Sequence, residues 1–206
     1  MLRVGVIDYG MGNIGSICKM LRLVGAEPIV SADPAQLQHA DKLVLPGVGH
    51  FDRAMSNLAA AGLIAGLHEL VVGRGTPILG ICLGMQLMCE GSEEGSQPGL
   101  AFVQAHVRRF VPTDSRLKVP HMGWAALDVA RPSTLLAGVE TDSRFYFVHS
   151  YYVDCTDAND VLARTTYGAP FVSAFARGNI FGVQFHPEKS HRFGIQLFRN
   201  FVGAAR

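Results

Sequence analysis

The sequence has no excess of charge of either sign. Its 206 residues include 18 lysines and arginines against 17 aspartates and glutamates, a formal net charge of +1, with no basic run. Proteins that bind nucleic acid or anionic membranes usually carry a basic patch or a basic amphipathic helix. We therefore expect small molecules and proteins as partners, with no nucleic acid and no membrane.

Long hydrophobic runs are also missing. The amino terminus becomes polar at Asp8, after only seven residues. That length fits neither a signal peptide nor a membrane-spanning helix, so a cytoplasmic location is expected.

Cysteine is scarce and widely spaced. The four cysteines, at positions 18, 82, 89 and 155, form no Cys-x-x-Cys pair, and the eight histidines form no His-Glu-x-x-His motif. This spacing indicates neither a zinc site nor a redox dithiol. Free thiols in a reducing compartment, no metal and no cofactor are the expectation.

The first half of the chain alternates short apolar runs with amphipathic segments. Hydrophobic residues make up 49% of the chain, enough for one compact core, and a single domain over residues 1–206 is predicted. This alternation is typical of an α/β fold with a mostly parallel central sheet flanked by helices, and with ligands at the carboxyl ends of the strands. Strands are predicted at 2–7, 28–30, 42–45 and 77–81, and helices at 13–24, 51–71 and 83–89.

The second half has a different pattern. A polar loop over 91–99 leads into short runs that alternate or contain paired aromatics. We expect them to add antiparallel or edge strands to the same sheet, followed by a last helix over 190–202. These runs cover 105–111, 145–153, 161–166, 171–176 and 179–185.

One cysteine occupies a position that is typical of a nucleophile. Cys82 lies between the predicted strand and a helix, and Gly80 and Gly84 bracket it as in the Gly-x-Ser-x-Gly nucleophile elbow. The positive end of the helix would stabilise a thiolate and supply oxyanion donors. The alternative is a buried core cysteine between small residues.

A histidine and a glutamate follow a later strand. Pro187 keeps His186 extended, so the side chains of His186 and Glu188 point to the same side and Glu188 can orient the imidazole. Together with Cys82, 104 positions earlier in the sequence, they form a Cys-His-acid set suited to acyl transfer. Taken alone, a His-Pro-Glu segment is more often a turn capped by a carboxylate.

Two glycine-rich segments follow strands. Successive small residues in Pro46-Gly-Val-Gly49 leave backbone N–H groups free to hold an oxyanion. Gly10-Met-Gly12-Asn-Ile-Gly15 matches a dinucleotide-binding pattern, with Asp33 at about the expected distance. Asp8 opposes that interpretation, because its carboxylate would face a pyrophosphate without a neutralising cation. We favour a tight turn and keep a dinucleotide-binding module that uses Gly10–Gly15 as an alternative of a different class.

The combined motifs resemble the class I (triad) glutamine amidotransferases. The matching segments are Pro46-Gly-Val-Gly49, Gly80-Ile-Cys-Leu-Gly-Met-Gln86 and Val183-Gln-Phe-His-Pro-Glu188, and the similarity covers essentially the whole chain. The resemblance implies a glutaminase in which Cys82 attacks the side-chain amide of L-glutamine. His186 would act as general base and then general acid, and Glu188 would stabilise the imidazolium.

The resemblance also suggests the remaining site residues. Backbone N–H groups of Leu83 and of the loop Gly47-Val48-Gly49 would hold the oxyanion. Gln86, four residues after Cys82 on the same helix face, could bind the amino-acid end of the substrate, unless it is a solvated helix residue. Three more residues would share substrate binding by resemblance: Glu94, Ser150 and Tyr151.

Four further segments resemble the glutaminase subunits of imidazole glycerol phosphate synthase, of histidine biosynthesis. In that family an asparagine usually follows the tryptophan that matches Trp124, whereas this chain has Ala125 at that position. A paralogous subunit that supplies ammonia for surface-sugar amidination therefore stays an alternative, as do the glutaminase of pyridoxal phosphate synthesis and a non-catalytic scaffold subunit. The four segments are Asp8-Tyr-Gly-Met-Gly-Asn13, Pro120-His-Met-Gly-Trp124, Phe147-Val-His-Ser-Tyr151 and Pro187-Glu-Lys-Ser190.

Another polypeptide would have to use the ammonia, because only 18 residues follow Glu188. The resemblance implies a heterodimer with a (β/α)₈-barrel cyclase, with the complete complex acting as a lyase. It also suggests Trp124, Tyr146 and Lys189 as interface residues, although such residues are more often plain core or solvated surface. We expect a low basal glutaminase rate that the partner raises.

Overall fold

A computed structural model describes residues 1–112 and 114–204. Its first half alternates strands and helices: β1 (Arg3–Ile7), α1 (Ile14–Leu23), β2 (Glu27–Ser31), α2 (Pro34–Leu37), β3 (Lys42–Leu45), α3 (Phe51–Ala60), α4 (Leu63–His68), β4 (Ile78–Ile81) and α5 (Leu83–Leu87). The second half contains strands and one long helix: β5 (Gly91–Ser92), β6 (Ala105–Arg109), β7 (His121–Ala125), β8 (Asp128–Val129), β9 (Phe145–His149), β10 (Tyr151–Cys155), β11 (Val161–Tyr167), β12 (Ala169–Arg177), β13 (Ile180–Val183) and α6 (His191–Gly203).

The central sheet has a parallel half and an antiparallel half. Its strand order is β2-β1-β3-β4-β13-β12-β10-β6-β5, and β11 and β8 extend it beside β12. Neighbours from β2 to β13 run parallel, whereas β12 is antiparallel to β13, β10 and β11. The carboxyl ends of β1, β3, β4 and β13 therefore meet at one edge, where α/β proteins bind their ligands.

Helices cover both faces of the parallel half. On strands β3 and β4 every residue is buried, because successive side chains point to opposite faces and each face has a cover. Leu43 and Ile78 pack on the side of α3, α4 and α5. Val44 and Leu79 pack on the side of α1 and α6, against Leu21 and the phenylalanines of α6. This two-sided burial confirms the predicted α/β architecture.

Three predictions about individual elements were wrong. The helix predicted over 51–71 breaks at Gly62, which has the left-handed φ of 66°, and resumes as α4 and a π-helical turn, Glu69–Gly73. The strand predicted over 145–153 is interrupted at Ser150, and its first part pairs with β7 in a separate two-stranded sheet. The strand predicted over 179–185 is not an edge addition, since β13 lies in the middle of the sheet, parallel to β4.

In the described ranges, no single helix is both long and apolar enough to cross a membrane. One pair of helices, Phe51–Ala60 and Leu63–Gly73, passes that test together by length and composition only, and the two are bent by 92°.

Candidate active site

Cys82 has a backbone conformation that residues with a Cβ rarely adopt. Its φ is 54° and its ψ is −111°, at the junction of β4 and α5. A Cβ at Gly84 would overlap the carbonyl oxygen of Leu45, and one at Gly80 would lie 2.8 Å from the backbone of Gly84 and Met85. The two glycines therefore let the helix start directly against the sheet, as the elbow pattern predicts.

His186 and Glu188 form a buried pair at the end of the neighbouring strand β13. His186 Nδ1 lies 2.8 Å from Glu188 Oε1, and the two side chains are only 2% and 1% exposed. A 3₁₀ turn, Pro187–Lys189, holds the segment, and the Ser190 hydroxyl donates to the His186 carbonyl oxygen at 2.7 Å. Because Nδ1 binds the carboxylate, Nε2 is the ring nitrogen available to the thiol. It has no hydrogen-bond partner within the described part of the chain.

The charges of the three side chains support one another. Burial alone would lower the pKa of His186, but the Cys82 thiolate and the Glu188 carboxylate outweigh it and raise that pKa to about 10. Burial would raise the pKa of Glu188, yet hydrogen bonds from His186 and Asn13 hold it below its ordinary value. The raised pKa of His186 and the lowered pKa of Glu188 favour an imidazolium paired with a carboxylate, next to the cysteine side chain.

Asn13 belongs to this site, although the sequence reasoning gave it no role. Its Nδ2 donates to Glu188 Oε1 at 2.8 Å, the same oxygen that binds His186. Asn13 lies beyond the carboxyl end of β1, inside the glycine pattern. Its place in a segment that resembles the synthase glutaminase subunits was the only signal in the sequence.

The glycine pattern at the amino terminus serves packing. A Cβ on Gly12 would lie 2.8 Å from the Cβ of Pro46, so the glycine lets this turn rest on the loop after β3. Asp33, the acidic residue of the pattern, caps α2 by accepting the Ala35 N–H at 2.8 Å. These contacts favour the tight-turn interpretation over dinucleotide binding.

The loop after β3 lies over the start of α5. The buried Tyr9 hydroxyl donates to the Pro46 carbonyl oxygen at 2.7 Å, and burial raises the pKa of this phenol, which keeps it a donor. A Cβ on Gly47 would lie 2.6 Å from the backbone N of Gly84, so Gly47 allows loop and helix to touch. Of the predicted oxyanion residues, Val48, Gly49 and Leu83 line the cavity beside Cys82, whereas Gly47 does not line it.

That cavity, of about 330 Å³, is lined by all four residues predicted to bind substrate: Gln86, Glu94, Ser150 and Tyr151. Gln86 is buried rather than solvated, and its Nε2 donates to the carbonyl oxygen of Tyr151 and to Gln184 Oε1, both at 3.1 Å. The Glu94 carboxylate accepts the Phe51 N–H at 2.8 Å, at the start of α3. The cavity thus brings carboxylate, amide and backbone groups close to the sulfur, as binding of an amino acid requires.

Two buried histidines support the Tyr151 backbone, and the sequence analysis did not find them. His149 Nδ1 lies 2.7 Å from the Tyr151 carbonyl oxygen, and His149 Nε2 lies 3.2 Å from His121 Nδ1. A carbonyl only accepts, so His149 donates through Nδ1 and accepts from His121 through Nε2. Burial lowers the pKa of His121 to about 4 and that of His149 to about 3, so both rings are neutral at pH 7.

The three residues predicted for a partner interface form one cluster. Trp124 is 48% exposed, and its ring lies 5.7 Å from that of Tyr146. Lys189 Nζ lies 5.7 Å from the centre of the Tyr146 ring. The structure adds His191, which stacks on Trp124 at 5.3 Å. The cluster adjoins the triad, because the His186 N–H donates to the Tyr146 carbonyl oxygen at 2.8 Å.

Residues 1–112 and 114–204 contain no group of three or more histidine, cysteine, aspartate or glutamate side chains that could hold a metal ion. All four cysteines are free. Cys82 lines the cavity, whereas Cys18, Cys89 and Cys155 do not.

Comparison with known proteins assigns the class. The family model for class I glutamine amidotransferases matches residues 5–204. The chain therefore belongs to the class I glutamine amidotransferases, and its enzymatic activity is glutamine hydrolysis. It is similar to imidazole glycerol phosphate synthase subunit HisH 2 of Methanococcus maripaludis, with 48% identity over 202 residues, 98% of this chain and 100% of that relative. It is also similar to subunit HisH 2 of Pseudomonas aeruginosa, with 49% identity over 197 residues, 96% of this chain and 97% of that relative.

Solved structures share the fold at lower identity. A glutamine amidotransferase crystal structure superposes with a TM-score of 0.73 at 20% identity, covering 98% of this chain and 99% of that one. PurLQS from Thermotoga maritima gives a TM-score of 0.72 at 21% identity, covering 97% of both chains. This likeness supports the fold alone.

Proposed function

We propose that this chain, as a single domain, is the glutaminase subunit of an imidazole glycerol phosphate synthase and supplies ammonia for histidine biosynthesis. The observation that carries the proposal is the buried His186–Glu188 pair beside Cys82, which opens into a cavity lined by the four predicted substrate residues. The names and the 48% and 49% identities of the Methanococcus and Pseudomonas relatives support the pathway.

The chemistry follows from the positions of the side chains. Cys82 transfers its proton to His186 Nε2, and the thiolate attacks the side-chain carbonyl carbon of glutamine. The oxyanion is held by backbone N–H groups of Leu83 and the Val48-Gly49 loop, each worth about 3 kcal/mol by analogy with other oxyanion holes. His186 protonates the leaving ammonia. Water, deprotonated by His186, then hydrolyses the glutamyl thioester to glutamate and restores the thiol.

The ammonia goes to a (β/α)₈-barrel cyclase in a heterodimer. The surface that we propose for docking is the cluster of exposed Trp124, Lys189 and His191 around the half-buried Tyr146. Lys189 also lines the cavity. A partner docked on this cluster therefore lies at the rim of the substrate cavity. The basal glutaminase rate is low until the partner binds. A cytoplasmic location stays a prediction.

A paralogous subunit that feeds ammonia to another acceptor, such as a surface sugar, is the second candidate. Ala125 replaces the asparagine that usually follows the tryptophan. The Methanococcus and Pseudomonas relatives both carry the numeral 2 in their names.

Reconstitution with the barrel subunits of the same organism tests the proposal. Glutamine-dependent formation of imidazole glycerol phosphate is expected with the histidine-pathway cyclase. Cys82→Ser should abolish that activity and leave turnover with added ammonium salts. A complex that forms only with a different barrel would favour the paralogous role. Separately, a diazoketone analogue of glutamine should label the Cys82 peptide, and labelling elsewhere with Cys82 untouched would remove the nucleophile assignment.

A further inference from the structure

The Cys82 sulfur has a polar neighbour besides the triad histidine. Gln184 Nε2 lies 3.7 Å from Sγ, within the range of an N–H···S hydrogen bond. The Val148 carbonyl oxygen lies 4.0 Å from Sγ. A thiol can donate to a carbonyl, but a thiolate can only accept. The Val148 carbonyl therefore suits the neutral thiol, and the Gln184 amide suits the thiolate.

Hydrogen bonds fix the orientation of the Gln184 amide. The Tyr151 carbonyl oxygen only accepts, so the Gln86 group that faces it must be the NH₂. The same NH₂ lies 3.1 Å from the Gln184 side chain, so its partner there must be the oxygen Oε1. The remaining end of Gln184, its NH₂, is thereby directed at the sulfur. A flipped Gln184 would set two NH₂ groups against each other.

Gln184 is also held firmly in place. It is 0% exposed and directly follows β13, and its backbone N–H donates to the Ser173 carbonyl oxygen on β12 at 2.9 Å. Water cannot replace a donor at a fully buried position, and a hydrogen bond to a charged group is strong where the local dielectric is low. The N–H aimed at Sγ is therefore a preorganised group rather than a surface contact.

We propose that Gln184 is a further catalytic residue, which donates an Nε2–H to the Cys82 thiolate and links that thiolate through Gln86 to the substrate-binding backbone of Tyr151. When the thiol proton moves to His186, negative charge gathers on Sγ and the Gln184 hydrogen bond strengthens. When the thiolate attacks, the charge passes to the substrate oxygen and the bond weakens. The proposal rests on the proposed role of Cys82 as the nucleophile.

Two variants and a matched control test it on the full chain. Gln184→Met removes the donor and adds no charge, and Gln184→Glu keeps an acceptor for Gln86 but cannot donate as a carboxylate. Ser173→Ala is the control, because Ser173 is 0% exposed and its hydroxyl has no hydrogen-bond partner in the described ranges. The readout is the rate of Cys82 alkylation by iodoacetamide against pH, followed on the Cys82 peptide by mass spectrometry.

In Gln184→Met the alkylation profile of Cys82 should move to higher pH, with a roughly tenfold lower rate at fixed pH, and Gln184→Glu should move it further. The Ser173→Ala profile should match the unmodified chain. An unshifted profile in Gln184→Met, or an equal shift in Ser173→Ala, would overturn the role of Gln184. If Gln184→Met does not fold by circular dichroism, Gln184→Leu, which likewise has neither a donor nor a charge, decides in the same way. The diazoketone label reports on the nucleophile itself, so loss of that label is a separate result.

Discussion

Removing the Asn13 amide should weaken the acid end of the triad. Asn13 Nδ2 and His186 Nδ1 both lie 2.8 Å from Glu188 Oε1. The other carboxylate oxygen, Oε2, has no hydrogen-bond partner among the described residues, and the side chain is only 1% exposed. In Asn13→Ala the carboxylate would keep the histidine and lose its second side-chain donor, and water has little access to replace it.

The size of the effect follows from the charge on Glu188. A hydrogen bond to a charged group contributes about 1.5–3 kcal/mol. Because each 1.4 kcal/mol is a factor of ten, kcat/KM for glutamine should fall roughly 10- to 150-fold. The Asn13 hydrogen bond also helps to lower the pKa of Glu188. Its loss should raise that pKa. On acidification, the variant should therefore lose activity at a higher pH than the unmodified chain does.

The assay is glutamate release against pH, measured with the cyclase partner present. Ammonium-driven turnover of the same complex is the control, because it bypasses the triad and should not change. Asn13→Asp gives a second point, since a carboxylate at this position would repel Glu188 and cost more than alanine. If Asn13→Ala keeps kcat/KM within twofold and the acid limb stays in place, the assignment of Asn13 to the triad is wrong.

Three other changes test the site and its supports. Tyr9→Phe removes the hydrogen bond to the oxyanion loop and should lower the unfolding free energy by about 1 kcal/mol in urea titrations, with a fall in kcat. Gly84→Ala should lower the unfolding free energy by about 3 kcal/mol in the same titrations, because its Cβ would overlap the backbone oxygen of Leu45. Gly15→Ala is the control: a Cβ added at Gly15 meets no described atom within 4 Å, so the unfolding free energy should not fall. His121 and His149 have lowered pKa values, so they favour folding above the unfolded value of 6.5, and about 3 kcal/mol per histidine should be lost as pH falls from 6.5 to about 4. A urea midpoint that does not fall over that range would contradict the neutral pair.

Local features of the sequence predicted most of the parallel half. The run Lys42–Leu45 was predicted with the bounds that the structure gives, because its burial on both faces leaves three consecutive apolar residues after the lysine. Cys82 was recognisable from its two glycines, since a sharp elbow constrains residues within two positions of itself. The break at Gly62 was missed because an isolated glycine is compatible with a continuing helix, and the conformation that it adopts depends on packing.

Contacts between distant residues were beyond local reasoning. Asn13 and Glu188 are 175 positions apart, and Cys82 and Gln184 are 102 apart. Each pair meets only because β13 inserts beside β4, a pairing that the apolar run 179–185 does not reveal. The His121–His149 contact likewise depends on β7 pairing with β9 in a sheet of their own. A histidine in a strand carries no sign of which histidine it faces.

The strand order also separates the parts of the site by how firmly they are held. Nucleophile and base follow β4 and β13, which are adjacent parallel strands about 4.8 Å apart, so sheet hydrogen bonds fix their spacing. The Val48-Gly49 loop follows β3 outside the sheet, where Val48 is 39% exposed, and Ser150 lies at the break between β9 and β10. A partner that activates the enzyme can therefore act more readily on oxyanion and substrate groups than on the triad. It follows that partner binding should raise glutamine turnover while leaving the pH profile of Cys82 alkylation by iodoacetamide unchanged. A partner-induced shift of that profile would show instead that the partner acts on the triad.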